Sequence, residues 1–127
     1  MDLYEAMYTT RAMRRVKPDP IPEDVIGRIF DAAVRGPSGG NRHTFRFLTV
    51  TDKATMEKIK AIYRDSYWEL QETSYAGVQD KMRDGDPNDP SVQQTKRISS
   101  SAEHFVEHLD DHPMLIFVFG KEKGEST

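Results

Sequence analysis

A turn of small and polar residues between an amphipathic helix and a strand constrains this chain most. The turn is residues 36–41, Gly-Pro-Ser-Gly-Gly-Asn. Before it, apolar residues recur every three or four positions across residues 25–33, which predicts a helix with one apolar face. After it, residues 44–50 (TFRFLTV) predict a strand. The glycines let a flat ligand approach the backbone, although a turn of this composition is also ordinary between a helix and a strand.

A second segment, residues 11–17, carries four basic residues in seven and precedes a proline-spaced run. Arg11 and Arg14 are three positions apart and can both donate to one phosphate, through charge-assisted and often bidentate hydrogen bonds. Taken alone, such a cluster is more typical of a solvated surface or of a loose nucleic-acid patch. The net charge of −3 disfavours general nucleic-acid binding, so the positive charge is local.

Together, the two segments resemble the FMN-dependent nitroreductase superfamily. An Arg-x-x-Arg element, a Pro-x-Pro approach to a helix and a Pro-Ser-x-x-Asn turn precede a strand in that family. Here these elements are Arg11–Arg14, Pro20–Pro22 and Pro37–Asn41. The resemblance implies an α+β fold, with helices around a small mixed or antiparallel sheet. Residues 1–127 are expected to form one domain that corresponds to the N-terminal portion of the family fold.

The resemblance also implies the chemistry. FMN would be the cofactor, NADH or NADPH the co-substrate, and a nitroaromatic, a quinone or a similar small molecule the electron acceptor. The flavin itself carries the electrons, while the protein binds and orients it. This fits the sequence, in which we identify no catalytic triad and no paired carboxylates.

Cofactor contacts follow from the resemblance, residue by residue. Arg11 and Arg14 would hold the FMN phosphate, with Arg15 as the alternative if the register slips by one position. Ala12 stands where the family often has serine, so it offers only its backbone. The residues that would border the flavin ring are Pro37, Ser38, Gly39 and Asn41. In family dimers this turn and the phosphate arginines can belong to opposite subunits.

The turn departs from the family pattern just after Asn41. Where the family often continues with Gln-Pro-Trp, this chain has His43, Thr44 and Phe45. The resemblance therefore does not determine whether the usual contact to the ring edge is made here. His43 either replaces it or does not.

The remainder of the chain predicts further elements. Residues 52–68 carry apolar side chains in helical register, and the polar, proline-broken residues 83–90 predict a loop. Ser91 can cap another helix. The apolar stripe of that helix is Ile98, Ala102, Phe105, Val106 and Leu109. The apolar run 114–119 has the length of a strand and predicts one that is covered on both faces.

Metal binding is not expected. The chain has no cysteine, which excludes disulfides and cysteine-based zinc sites. His104 and His108 are spaced four residues apart on a helix, but no third ligand follows at motif spacing. A surface or packing role is therefore predicted for both histidines.

Assembly and location can also be predicted. Two apolar helix stripes and an apolar strand exceed what a 127-residue monomer readily covers, and the family's flavin sites lie between two subunits. An obligate homodimer, or a dimer completed by a missing C-terminal segment, is therefore expected, with FMN near the interface. The aromatic residues of the helix predicted at residues 52–68, and of the segment that follows it, are expected in this interface, in the core or in a substrate pocket. They are Tyr63, Tyr67, Trp68 and Tyr75. Two strands alone form a marginal sheet, so further strands are expected from a longer protein or from a partner.

The chain shows no leader-like segment and no apolar run near the roughly 20 residues that cross a membrane, so a cytoplasmic protein without membrane contact is expected.

Three functions remain compatible with the sequence. The first is the FMN-dependent oxidoreductase, the second a non-catalytic flavin-binding or remnant module, and the third a small interaction domain with a basic turn. The turn at residues 37–41 disfavours the third, because a basic patch needs no such turn. The first two require the same flavin contacts, so the motifs do not separate them.

Overall fold

The computed structural model describes residues 2–120 and divides the chain into two compact units. Among these residues, the first unit contains 2–16 and 60–109, and the second contains 17–59 and 110–120. The elements in chain order are α1 (Leu3–Thr9), α2 (Glu23–Ala33), a 3-10 turn (Gly39–Asn41), β1 (Arg46–Val50), α3 (Lys53–Glu72), α4 (Ala76–Asp84), α5 (Pro90–Glu107), a second 3-10 turn (Leu109–Asp111) and β2 (Leu115–Phe119). Five helices and a small antiparallel sheet confirm the predicted α+β class.

In the second unit, β1 and β2 pair into a two-stranded antiparallel sheet, with Phe47 opposite Val118. The ring of Phe30 on α2 lies 5.4 Å from the ring of Phe47, so this helix packs against β1. The prediction that residues 114–119 are covered on both faces is wrong for the described chain. Ile116 is 39% exposed and Val118 is 63% exposed. These alternate residues share one face of β2, so that face is left open among residues 2–120.

The first helix of this unit forms close to where the sequence predicts it. Pro22 is the N-cap of α2, and Glu23 and Asp24 occupy its first turn, where acidic side chains favour the positive end of the helix dipole. The helix ends at Ala33, a few residues before Gly36. Turn hydrogen bonds then lead the chain into the small-residue turn.

A lysine joins the start of α3 to the entrance of β2, again within the second unit. Lys53 Nζ donates to the carbonyl oxygens of Asp110 at 2.6 Å and of His112 at 3.1 Å. Asp52, just before the helix, accepts from the backbone N–H of Thr55 at 2.8 Å. These bonds satisfy backbone groups that the ends of the elements leave unpaired.

In the first unit, α5 begins with a cap that differs from the predicted one. Asp89, not Ser91, is the N-cap: its Oδ1 accepts the backbone N–H of Ser91 at 2.7 Å, and Pro90 occupies the first turn. The hydrogen bonds from Ser91 lower the pKa of Asp89. An ionised aspartate is the stronger acceptor at a helix start, which is why it replaces the serine there.

The predicted apolar stripe of α5 is buried only in its second half. Val106 and Leu109 are buried, whereas Ile98 is 53% exposed. Val92, one turn into the helix, is also buried. The second unit buries Met56 and His112.

The helix α4 has no counterpart in the sequence prediction. Residues 83 and 84, predicted as loop, lie in its last turn, and the loop is residues 85–89. The stretch is mostly polar, so it lacks the apolar period that identifies a helix. Its last turn is held by charge, because Arg83 Nη2 lies 2.7 Å from Asp80 Oδ1 and 2.9 Å from Asp84 Oδ2.

None of the helices within residues 2–120 is both long enough and apolar enough to cross a bilayer.

Two glycines at opposite ends of α4, Gly77 in its first turn and Gly85 just after its last, should respond oppositely to the same substitution. A Cβ at Gly85 would lie 2.5 Å from the Lys81 carbonyl oxygen and 2.7 Å from Val92 Cγ2, so Gly85→Ala forces a shift. We expect a loss of about 1–3 kcal/mol in the free energy of unfolding. At Gly77, inside α4, a Cβ meets nothing within 4 Å, and Gly77→Ala should stabilise by roughly 0.5–1 kcal/mol. Urea unfolding followed by circular dichroism measures both, and equal effects would contradict the packing at Gly85.

Candidate functional site

The arginine segment lies directly after α1 in the first unit. Thr9 and Thr10 donate their hydroxyls to the carbonyls of Glu5 and Ala6, which closes the helix at its last turn. The described chain then runs from residue 10 to residue 22 without helix or strand. Both phosphate candidates fall in this irregular stretch, so their position depends on side-chain contacts.

Three of the predicted site residues stand here together. Arg11 and Ala12 are exposed, and Arg14 is half-buried. Exposed guanidinium groups on a short irregular segment are accessible to a phosphate, whose geometry suits their forked donors.

Residues of α5 and α3 lie near Arg14 and Arg15. Arg15 Nη1 is 3.5 Å from His104 Nδ1. Burial raises the pKa of the Tyr67 phenol, the charge of Glu103 raises this pKa further, and the charge of Arg14 lowers it. Arg14 and Glu103 are therefore both within electrostatic reach of Tyr67. Arg15 thus contacts α5, and Arg14 influences a side chain of α3.

The remaining predicted site residues, Pro37, Ser38, Gly39 and Asn41, lie in the second unit, in and before the first 3-10 turn. The backbone of this turn is left-handed at three positions, with φ of 62° at Gly40, 54° at Asn41 and 45° at His43. Glycine adopts such angles freely, but a histidine there is held by its surroundings. Backbone held this way is frequent at functional sites.

Ser38 holds the turn closed. Its Oγ accepts the backbone N–H of His43 at 3.0 Å, and its carbonyl accepts the N–H of Asn41 at 2.9 Å. The hydroxyl hydrogen of Ser38 remains available for donation. A Cβ built on Gly39 meets nothing within 4 Å, so its backbone is open to the approach of a flat ligand. The predicted ring contacts of this turn thus stay a prediction with a suitable geometry.

A series of aromatic rings in contact begins at His43, just after the turn, and ends at Phe30 on α2. The ring of His43 lies 5.8 Å from that of Phe45, Phe45 lies 5.6 Å from Phe47, and Phe47 lies 5.4 Å from Phe30. The contacts are tilted or edge-on, the arrangement that ring quadrupoles favour. The departure from Gln-Pro-Trp therefore places His43 at the end of a series of rings that reaches back to α2.

The histidine pair on α5 forms a ring contact. The centroids of His104 and His108 are 4.3 Å apart, with the planes inclined by 33°. Within residues 2–120, no group of three or more histidine, cysteine, aspartate or glutamate side chains is placed to hold a metal ion.

The aromatic residues of α3 and the following turn are mostly exposed. Tyr63 is 45% exposed, Trp68 41% and Tyr75 46%, whereas Tyr67 is half-buried. Tyr63 also meets Phe105 edge-on, with 6.1 Å between ring centroids. Most of them therefore lie outside the core of the described chain, and a place in the dimer interface or in a substrate pocket stays a prediction.

The sequence pattern of the Nitroreductase family matches residues 7–127, a range that includes both the arginine segment and the small-residue turn. The chain belongs to this family. Membership confirms the predicted resemblance and supports a flavin-dependent oxidoreductase in general terms.

Curated relatives fall into two groups. One is named a putative NADH dehydrogenase/NAD(P)H nitroreductase, from Methanothermobacter thermautotrophicus; it is 35% identical over 63 residues, which is 50% of this chain and 33% of that protein. The other group is named iodotyrosine deiodinase. The Danio rerio protein is 30% identical over 121 residues, 95% of this chain and 36% of that protein. The Rattus norvegicus protein is 26% identical over 97% of this chain and 38% of its own length.

A solved structure shares the fold. It is a BluB-like flavoprotein from Clostridium difficile 630, with a TM-score of 0.58 and 21% sequence identity, over 95% of this chain and 49% of that one. This likeness supports the fold alone. The chain spans roughly a third of the length of the curated relatives that it matches.

Sequence reasoning missed the residues that flank the arginines. Tyr67, Glu103 and His104 are separated from Arg14 and Arg15 by some 50 to 90 positions along the chain. No local motif marks such residues, because their proximity arises from helix packing. The i,i+4 histidine spacing was noticed, but as a possible metal face.

Proposed function

We propose that this protein is an FMN-dependent oxidoreductase that passes electrons from NADH or NADPH to a small-molecule acceptor. The observation that carries the proposal is the family match, which includes both predicted cofactor segments. The geometry supports it: Arg11 is exposed, and the backbone at Gly39 is open.

The first unit supplies the phosphate contacts in this proposal. Arg11 and Arg14 donate to the phosphate oxygens of FMN, and Ala12 contributes its backbone N–H. Two guanidinium groups neutralise a phosphate dianion and form charge-assisted hydrogen bonds with it.

The small-residue turn supplies contacts to the ring in this proposal. Ser38 has a hydroxyl hydrogen to donate, and Asn41 carries both a donor and an acceptor. Pro37 and Gly39 present little bulk, so a planar ring can lie against the backbone between them. This assignment is independent of the phosphate assignment.

When bound, FMN would supply the redox chemistry, namely the transfer of electrons from the nicotinamide to the acceptor. The protein's own residues bind and orient the cofactor, and they exclude water from it. A nitroaromatic, a quinone or a similar compound is the acceptor in the first form of the proposal.

A second candidate reaction is the reductive removal of halogen from an aromatic ring. The deiodinases align with 95–97% of this chain, whereas the nitroreductase-named relative aligns with 50%. The same electron pair, together with a proton, would then replace a carbon–halogen bond by a carbon–hydrogen bond and release halide. A third possibility, a flavin-binding module without turnover, uses the same cofactor residues.

We also propose that the protein forms a homodimer. Large apolar side chains are exposed in both units: Tyr8 is 84%, Leu3 is 71% and Val118 is 63% exposed. Apolar surface of this extent usually marks an interface, and a two-fold dimer brings one patch against its own copy.

The phosphate assignment is tested by charge reversal. The double variant Arg11→Glu/Arg14→Glu should lose FMN affinity by roughly 100-fold or more, since each charged hydrogen-bond group contributes about 1.5–3 kcal/mol. Riboflavin, which lacks the phosphate, should bind the variant as it binds the wild type. The matched control is Lys96→Glu/Arg97→Glu, the same charge change on exposed residues of α5. Lys121 and Lys123 lie outside the described residues, and their removal should matter little.

Flavin fluorescence titration gives these affinities. Unchanged FMN binding by the arginine variant would remove the phosphate assignment, and a wild-type protein that stays colourless after FMN titration would remove the whole proposal.

The choice of acceptor is tested by parallel assays. The FMN-loaded protein should oxidise NADH or NADPH when menadione or nitrofurazone is present, under anaerobic conditions. If halogen removal is the reaction, reduced protein should instead release iodide from 3-iodotyrosine. Bound FMN with neither reaction would favour the module without turnover. The arginine double variant serves as the control, because it should be inactive in every assay at limiting FMN.

Sedimentation velocity at micromolar concentration tests the dimer. A species of twice the chain mass is expected. Leu3→Asp/Tyr8→Asp should lower this mass if the first helix contributes to the contact, because a charge on an apolar interface remains unpaired. An FMN-loaded wild-type protein of monomer mass would contradict the proposal.

A further inference from the structure

Three neighbouring arginines leave open which of them meet a phosphate. Residues 10–22 form neither helix nor strand, so the backbone alone does not set the direction of these side chains. Arg11 is exposed and Arg14 is half-buried. Arg15 is the alternative phosphate ligand if the register is one position later. Only a contact from another element can decide among them.

That contact comes from α5 in the same unit. Arg15 Nη1 lies 3.5 Å from His104 Nδ1, at the long end of hydrogen-bond range. A guanidinium group has donors and no acceptor, so the bond requires an unprotonated Nδ1 on His104. The imidazole hydrogen then resides on Nε2. Because Arg15 is occupied in this way, it is turned toward the helix.

A second observation concerns Arg14. It acts electrostatically on Tyr67 of α3, as Glu103 of α5 also does. Arg14 is therefore within electrostatic reach of α3, while Arg15 contacts α5. A slip of the segment by one residue would break the contact between Arg15 and His104.

We propose that His104 is a positioning residue for the phosphate site: it anchors Arg15 to α5 and thereby leaves Arg11 and Arg14 as the pair that receives the phosphate monoester. The inference rests on the proposed function, in which those two arginines bind FMN. Arg15 is thus an anchor and not a ligand.

The physical benefit of such an anchor is preorganisation. An arginine side chain loses rotamer freedom when it is fixed on a ligand, and an irregular backbone adds its own loss. A segment that is already held before the ligand arrives loses less on binding. Loss of the anchor should therefore weaken the binding of FMN but not of riboflavin, which offers no phosphate to the arginines.

Two substitutions separate the acceptor atom from the ring. His104→Asn retains an acceptor near the Nδ1 position but loses the ring. His104→Phe retains a ring that can still pack on His108 but has no acceptor. A purely structural role for the ring predicts that the phenylalanine variant is normal and the asparagine variant impaired. The anchor predicts the reverse.

The first measurement uses flavin-free, full-length protein. Amide hydrogen exchange of residues 10–16, read by mass spectrometry, should accelerate in His104→Phe and stay near the wild-type rate in His104→Asn. Arg15→Gln should accelerate exchange to a similar degree, and the double variant with His104→Phe should add nothing further, since the two residues act as one contact.

The second measurement is flavin binding. His104→Phe should weaken FMN binding by roughly five- to tenfold, the effect of one charge-assisted hydrogen bond, with riboflavin unchanged. His104→Asn should restore most of the FMN affinity. Normal exchange and normal FMN binding in His104→Phe would overturn the inference, as would faster exchange with unchanged FMN binding.

The same data distinguish failure of the proposed function from failure of the anchor. A wild-type protein that binds no FMN removes that function and the phosphate role with it, while the exchange rates still decide whether Arg15 is anchored. A protein that binds FMN through Arg11 and Arg14 but is indifferent to His104→Phe keeps its function and loses only the anchor.

Discussion

This structure buries little apolar surface, and the rest of its organisation depends on that constraint. Among the described residues, the buried hydrophobic side chains are Met56, Val92, Val106 and Leu109. Full burial of one such side chain contributes about 1.5–3 kcal/mol, so a core of this size leaves a narrow margin over the entropy lost on folding. Directional contacts therefore carry much of the organisation. Carboxylate caps begin helices, and Lys53 joins two elements by donating to two carbonyls.

The same constraint explains where the functional groups lie. The arginines proposed to bind phosphate lie in a segment without regular structure, and the small-residue turn lies between α2 and β1; hydrogen bonds hold both. Ser38 closes its turn through the backbone of His43 and Asn41. The arginine segment meets α5 through Arg15. A site formed this way has polar groups that are still exposed, which a charged and planar cofactor requires.

Family membership limits the chemistry without choosing the substrate. Within the family, relatives of this chain carry the names of nitroreductases and of deiodinases. Both names fit electron transfer through a flavin, because the cofactor supplies the reactivity and the protein supplies the surroundings. The identity of the acceptor depends on residues around the ring. His43, held with a left-handed backbone at the end of the aromatic series, is one place where this chain differs from the common pattern.

The sequence by itself determined the elements that have a strong local signal. The period of apolar residues indicated α2, α3 and α5, and the β-rich runs indicated both strands to within two residues. The two motifs identified the family, since their order and spacing are properties of the chain. Local signals also misled in places: Ser91 looked like a cap, but the carboxylate of Asp89 is the better acceptor.

Only the tertiary structure decided what lies beside those elements. The exposure of Ile98 and Val118 depends on whether another element covers them, which no local pattern records. The polar helix α4 forms with little apolar period of its own. The pairing of Arg15 with His104 joins positions 89 residues apart. Such contacts are set by how helices pack, and packing is a property of the whole fold and not of any single segment.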